Sequence, residues 1–229
     1  HVEAGLRTST PRLPFPEEMN RRLVGRLAEV HLAPTSGARD NLLAEGIDPA
    51  DILQTGNTGI DALLLAVGMR EGFDDPALAA IAEGDGPLIV ATTHRRENWG
   101  AGIRRVAGAL HDLLDRFPDL RAVHAAHPNP AVRHEVEAEL AGHPRALIPG
   151  PVGYGDFARL LSRATIIISD SGGIQEEAPS LGVPVLVARE ETERVEGLEA
   201  GLSRLVGTDR ALIVEQAVRL LTDESARAA

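Results

Sequence analysis

The chain has 229 residues, 43% of them hydrophobic and only 3% aromatic, with a formal net charge of -11 and no cysteine. That is enough chain for one large domain or two small ones around an aliphatic core. The composition argues against coating nucleic acid or an anionic membrane, and it excludes disulfides, thiolate metal sites and cysteine nucleophiles.

All 23 basic residues are arginine, so Schiff-base chemistry at a lysine of this chain is excluded as well. No apolar run approaches the roughly 18 residues of a membrane span, nothing resembles a signal peptide, and the expected compartment is the cytoplasm. The sequence opens at His1 directly on a dense motif, HVEAGLRT, which suggests a piece of a longer protein.

Residues 1–15 read as a proline-rich loop after a short strand remnant. Pro16 suits the first helical position, with Glu17 and Glu18 in the first turn where the helix dipole favours acids. Met19, Leu23, Leu27 and Val30 recur at helical spacing and predict a buried stripe. VHLAPT (30–35) reads as a strand, 36–47 as a short helix ended by Gly46, and 55–67 as a connection followed by a helix. From residue 83 a βα rhythm takes over. Strands are expected near 88–92, 121–126, 146–149, 165–169, 184–188 and 203–206. Helices are expected near 101–116, 130–141, 155–163, 173–181 and 209–222. Short apolar strands alternating with helices predict a doubly wound parallel sheet, and a domain boundary is expected near 58–70.

Ligands of such sheets bind beyond the carboxyl ends of the strands. There the sequence places THRREN (93–98), HPNP (127–130), DSGG (170–173) and REETER (189–194). In SDSGG, glycines allow close backbone approach, and a helix opening at Gly173 offers free amides to a phosphate, with Ser171 adding a hydroxyl; an ordinary Ser-capped turn is the alternative. Glu176 or Glu177 could accept bonds from vicinal hydroxyls such as those of ribose. His94 can carry a proton or bind phosphate, and Arg95 and Arg96 can clamp a pyrophosphate; a solvated charged loop is the alternative. His127 is a candidate polar contact, while Asn129 and Pro130 read as a helix start. Glu3 beside apolar residues is unexpected unless satisfied or used, and with Glu17 it could divide acid and base roles. The histidines form no metal-ligand pattern.

Taken together, HVEAGLRT, PFPEEMNRR, TGNTGID, THRREN, HPNP and SDSGGIQEEAPSLGVPVLV followed by RE and TER resemble the non-hydrolysing UDP-N-acetylglucosamine 2-epimerases, over residues 1 to about 222. The resemblance implies an α/β fold of GT-B type: two Rossmann-like domains with UDP-sugar in the cleft between them. Residues 1–65 would be a partial N-terminal domain and 66–229 a nearly complete UDP-binding C-terminal domain. It implies reversible exchange of UDP-GlcNAc and UDP-ManNAc by anti elimination of UDP to 2-acetamidoglucal and re-addition, with no cofactor or metal.

By resemblance, Glu3, Glu17 and His94 match catalytic residues; Ser171, Gly172 and Gly173 match a diphosphate loop. Glu177 matches a ribose-binding acid, Phe157 a ring that stacks on uracil, and Arg194 a ligand-contacting arginine. Arg95, His127 and Glu18 lie in motifs near the substrate or a regulatory nucleotide-sugar site. The implied partners are UDP-GlcNAc and UDP, with a homodimer common in the family and no nucleic acid or membrane. Two departures stand out: Val195 replaces a proline in TERVE, and Val152 replaces a polar residue. The resemblance also implies a catalytic aspartate and basic residues upstream of His1, so the stretch given is expected to be inactive by itself. A hydrolysing relative, a GT-B glycosyltransferase and an inert UDP-binding module are the alternatives.

Overall fold

The computed structural model describes residues 1–8, 10, 15–69, 71–126 and 129–227. Two compact units emerge, one of His1–Asp61 with Thr192–Arg194, the other of Ala62–Glu191 with Val195–Ala229.

In the first unit, α1 (Glu17–Leu27) leads to β1 (His31–Ala33), α2 (Ser36–Ala44), β2 (Ile52–Gln54) and α3 (Thr58–Gly68), whose last turns count with the second unit. β1 and β2 pair in parallel, with His31 opposite Ile52, and the first residues run along the other edge of β1 through a parallel bridge from Val2 to Leu32. Ala4, Leu6, Ala33, Ala38, Leu42 and Ile52 form the small core. Gly5 holds φ +88, and a Cβ there would collide with the Ala38 carbonyl, so α2 packs directly on backbone. Thr35 caps α2 by accepting from the Ala38 N–H at 3.1 Å.

The predicted buried stripe of α1 is corrected: Met19, Leu23 and Val30 are 39%, 60% and 49% exposed, and Leu27 is 83% exposed. Helical periodicity identifies an apolar face without saying what meets it. Here the inward face carries Glu18 and Gly25 instead.

The second unit contains α4 (Pro76–Ala82), β3 (Leu88–Thr92), α5 (Ala101–Arg116), β4 (Arg121–His124), α6 (Pro130–Leu140), β5 (Ala146–Leu147), α7 (Tyr154–Arg163), β6 (Ile166–Ser169), α8 (Ile174–Ser180), β7 (Val185–Val187), α9 (Val195–Glu199), β8 (Ser203–Leu205), α10 (Arg210–Thr222) and α11 (Glu224–Arg227). Its six strands are all parallel in the order β5-β4-β3-β6-β7-β8. That is the Rossmann order, with the switch point between β3 and β6.

Side chains alternate across each strand, so the sheet feeds two cores. Ile89, Ala91, Ile166 and Ile168 pack with Val106 and Leu110 of α5, Val136 of α6 and Ile213 of α10. Leu88, Val90 and Ile167 pack on the opposite face with Leu78 of α4, Leu160 of α7 and Ala178 of α8. Val195, where a proline was expected by resemblance, begins α9. Among the described residues, no helix is long and apolar enough to cross a membrane.

Candidate functional site

At the switch point the loops after β3 and β6 lie side by side, because Thr92 pairs in register with Ser169. Asp170, the first residue after β6, is completely buried. A buried carboxylate requires donors, and the β3 loop supplies them. The His94 N–H donates to Oδ1 at 3.0 Å and the Arg95 N–H to Oδ2 at 3.0 Å. Asn98 Nδ2 adds a bond to Oδ2 at 2.9 Å and another to the Ala188 carbonyl beyond β7 at 3.0 Å. One aspartate and one asparagine thus tie together the ends of three strands.

The His94 ring points back to the same carboxylate, with Nδ1 3.3 Å from Oδ1 and the side chain 40% exposed. A carboxylate beside Nδ1 favours the tautomer with its proton there. Arg95 donates Nε to the Asp170 carbonyl at 3.2 Å, which folds the guanidinium over the end of β6. Trp99, the single tryptophan, donates Nε1 to the His94 carbonyl at 2.9 Å. Beneath them the Thr93 hydroxyl lies 3.3 Å from Nε2 of His124. Burial pulls that imidazole down to about 4.

The β6 loop continues through half-buried Ser171, buried Gly172 and exposed Gly173, which opens α8. Ser171 donates its N–H to Ser169 Oγ at 3.0 Å, and its carbonyl accepts from Gln175 Nε2 at 3.2 Å. Gly173 has φ -62, and a Cβ there would meet only Glu177 Oε1 at 3.6 Å. Its backbone does not demand glycine, so positive φ is not its reason for being there; an open approach to the loop is what the missing side chain leaves.

Phe157 sits on α7, half-buried against the second core. Tyr154, three residues earlier, is on the same helix face. Burial and then the Glu177 carboxylate push its phenol up. His127 lies outside the described residues.

The first unit holds the remaining candidates. Glu3 has φ 59, the left-handed region that a side chain other than glycine rarely adopts. Its Oε1 accepts from Arg194 Nη2 at 3.0 Å. Glu17 is exposed in the first turn of α1, whereas Glu18 is fully buried and accepts from Arg22 Nε at 2.9 Å. Arg7 forms a two-pronged pair with Glu45, at 2.6 and 3.0 Å, and holds that carboxyl below its usual range.

The sequence profile of the UDP-N-acetylglucosamine 2-epimerases matches residues 1–229. The chain belongs to this family. The UDP-N-acetylglucosamine 2-epimerase of Escherichia coli strain K12 is 46% identical over 230 residues, which cover 98% of this chain and 61% of that one. The Bacillus subtilis enzyme of the same name is 44% identical over 223 residues, covering 97% of this chain and 58% of its own length. The crystal structure of the Neisseria meningitidis UDP-GlcNAc 2-epimerase bound to UDP-GlcNAc superposes with a TM-score of 0.90 at 39% identity, over 100% of this chain and 62% of that one. The chain therefore spans about three-fifths of the length of the 2-epimerases it matches. The structural match also carries the GT-B type of α/β fold.

Asp170, Asn98, Arg21 and Glu193 were not singled out from the sequence of this family member. For Asp170 a signal existed: an acid directly after four buried strand residues has to find donors. Among the described residues, no group of three or more His, Asp or Glu side chains could hold a metal ion.

Proposed function

We propose that the full-length protein interconverts UDP-GlcNAc and UDP-ManNAc without net hydrolysis. A base removes the C2 proton, the C1–O bond to UDP breaks and a C1–C2 double bond forms, giving 2-acetamidoglucal and UDP. Re-addition returns a proton to the opposite face of C2 and re-forms the C1–O bond. Glu3 and Glu17 are assigned the C2 protons. His94, steadied by Asp170, is assigned the developing charge on departing UDP. Ser171, Gly172 and Gly173 would hold the diphosphate, Glu177 the ribose and Phe157 the uracil, with Arg95, His127 and Arg194 as further substrate contacts. A cytoplasmic homodimer that needs no cofactor completes the reading.

The observation that carries it is the Asp170 clamp, which sets His94 and Arg95 beside the Ser171–Gly173 loop at the switch point of a Rossmann-ordered sheet. A proton carrier, a cation and an open glycine turn at one strand end suit a diphosphate leaving group. The family relationship and a relative solved with UDP-GlcNAc support the same substrate class. The test is product analysis by phosphorus and proton NMR on full-length protein supplied with UDP-GlcNAc. UDP-ManNAc supports the proposal. Free ManNAc with stoichiometric UDP would assign the protein to hydrolysing chemistry instead.

A further inference from the structure

Within the first unit six charged side chains alternate in sign along one path. Arg22 Nε donates to Glu18 Oε1 at 2.9 Å, and Glu18 Oε2 lies 3.6 Å from Arg21 Nη1. Arg21 Nη2 lies 3.6 Å from Glu193 Oε1, and that same oxygen pairs with Arg194 Nη1. Arg194 Nη2 reaches Glu3 Oε1 at 3.0 Å. The path runs from Arg22, whose side chain is 40% exposed, through Glu18, whose side chain is 0% exposed, to Glu3, whose side chain is 47% exposed.

We infer that Glu18, Arg21 and Glu193 are positioning residues that set the direction of Arg194 and, through it, of the Glu3 carboxylate. Glu3 is not held by packing, since nearly half its side chain is open and its backbone is left-handed. Its orientation therefore depends on its partner. A guanidinium is a rigid planar fork, so fixing one of its terminal nitrogens fixes where the other points. Glu193 holds Nη1 of Arg194, which aims Nη2 at Glu3.

Glu193 has a side chain only 1% exposed and shares one oxygen between Arg194 and Arg21. Arg21 in turn is held along α1 by Glu18, three residues earlier on the same helix. A buried Glu18 without nearby guanidiniums would be strongly unfavourable, so these charges stand or fall together. The arrangement also accounts for the polar inward face of α1. It carries the anchor of this path where helical periodicity alone predicted apolar packing.

The inference rests on the proposed chemistry of Glu3, and its test separates the two. Full-length wild type, Arg21→Met, Arg21→Lys and the isosteric Glu193→Gln are compared for kcat and KM with UDP-GlcNAc, UDP affinity by calorimetry, and melting temperature. Arg21→Met and Glu193→Gln are expected to lower kcat at least tenfold, a larger effect than they have on UDP affinity, which Arg194 also serves. Arg21→Lys keeps the charge but not the fork and should fall between. The double variant Arg21→Met/Glu193→Gln should lose less than the product of the single losses, because both act through Arg194. A purely structural role would lower the melting temperature and leave kcat per folded molecule unchanged. Either folded single variant keeping kcat within twofold of wild type overturns the inference. A wild-type protein with no turnover overturns instead the epimerase reading beneath it.

Discussion

Arg194 Nη2 meets Glu3 Oε1 at 3.0 Å, joining two residues 191 positions apart. The pairing gives a left-handed glutamate one defined direction, the combination of backbone strain and charge from which its proposed role is argued. Glu3→Gln keeps the shape and removes the charge. Turnover of the full-length protein should fall by about 10²- to 10⁴-fold, the usual worth of a general acid or base, while UDP affinity stays within threefold. Steady-state kinetics and calorimetry on the same preparation check both halves.

Gly173→Ala separates fold from ligand. With φ -62 and only Glu177 Oε1 at 3.6 Å from the new methyl group, the fold should accept alanine, and the melting temperature should hold within a few degrees. If a diphosphate approaches this loop closely, the same methyl group should weaken UDP binding at least tenfold. Equal affinity for both proteins would remove Gly173 from the diphosphate loop.

Trp99 offers a direct reporter. It is the only tryptophan, 41% exposed, and its Nε1 is bonded to the His94 carbonyl. UDP arriving at His94 should change the intensity or wavelength of its emission in a saturable way. The same titration of His94→Ala should show weaker binding.

His124 makes stability depend on pH. Burial holds its imidazole at about 4, whereas the unfolded chain titrates near 6.5. Between those values the unfolded state binds a proton that the folded state refuses, so stability falls as pH falls. The contribution is fully present above pH 6.5 and decreases by about 3 kcal/mol on reaching pH 4. His124→Phe should flatten that part of the profile in denaturant titrations, at the cost of leaving the Thr93 hydroxyl without its imidazole neighbour.

The periodic features of this chain were legible in advance. Strands at 88–92 and 166–169, the helix at 101–116 and the Asn129–Pro130 helix start are local patterns of polarity and capping. The family motifs pointed to the relatives that the comparisons then identified. Strand order was not legible, because an alternating βα rhythm is compatible with several orders and only the pairing of β3 with β6 creates the switch point.

The role of Asp170 was also hidden, since its donors come from residues 72 to 76 positions earlier. Likewise Glu17 and Glu18 look interchangeable in sequence, and it is the rotation of α1 that exposes one and buries the other. β2 escaped because three residues after a Pro49–Asp51 turn carry too little pattern to read.

The central claim is that C2 loses and regains a proton during turnover. Full-length protein incubated with UDP-GlcNAc in deuterated water should place one deuterium at C2 of both UDP-GlcNAc and UDP-ManNAc at equilibrium, read by NMR and mass spectrometry, and Glu3→Gln should suppress the label. Interconversion of the two nucleotide sugars with hydrogen fully retained at C2 would contradict the account.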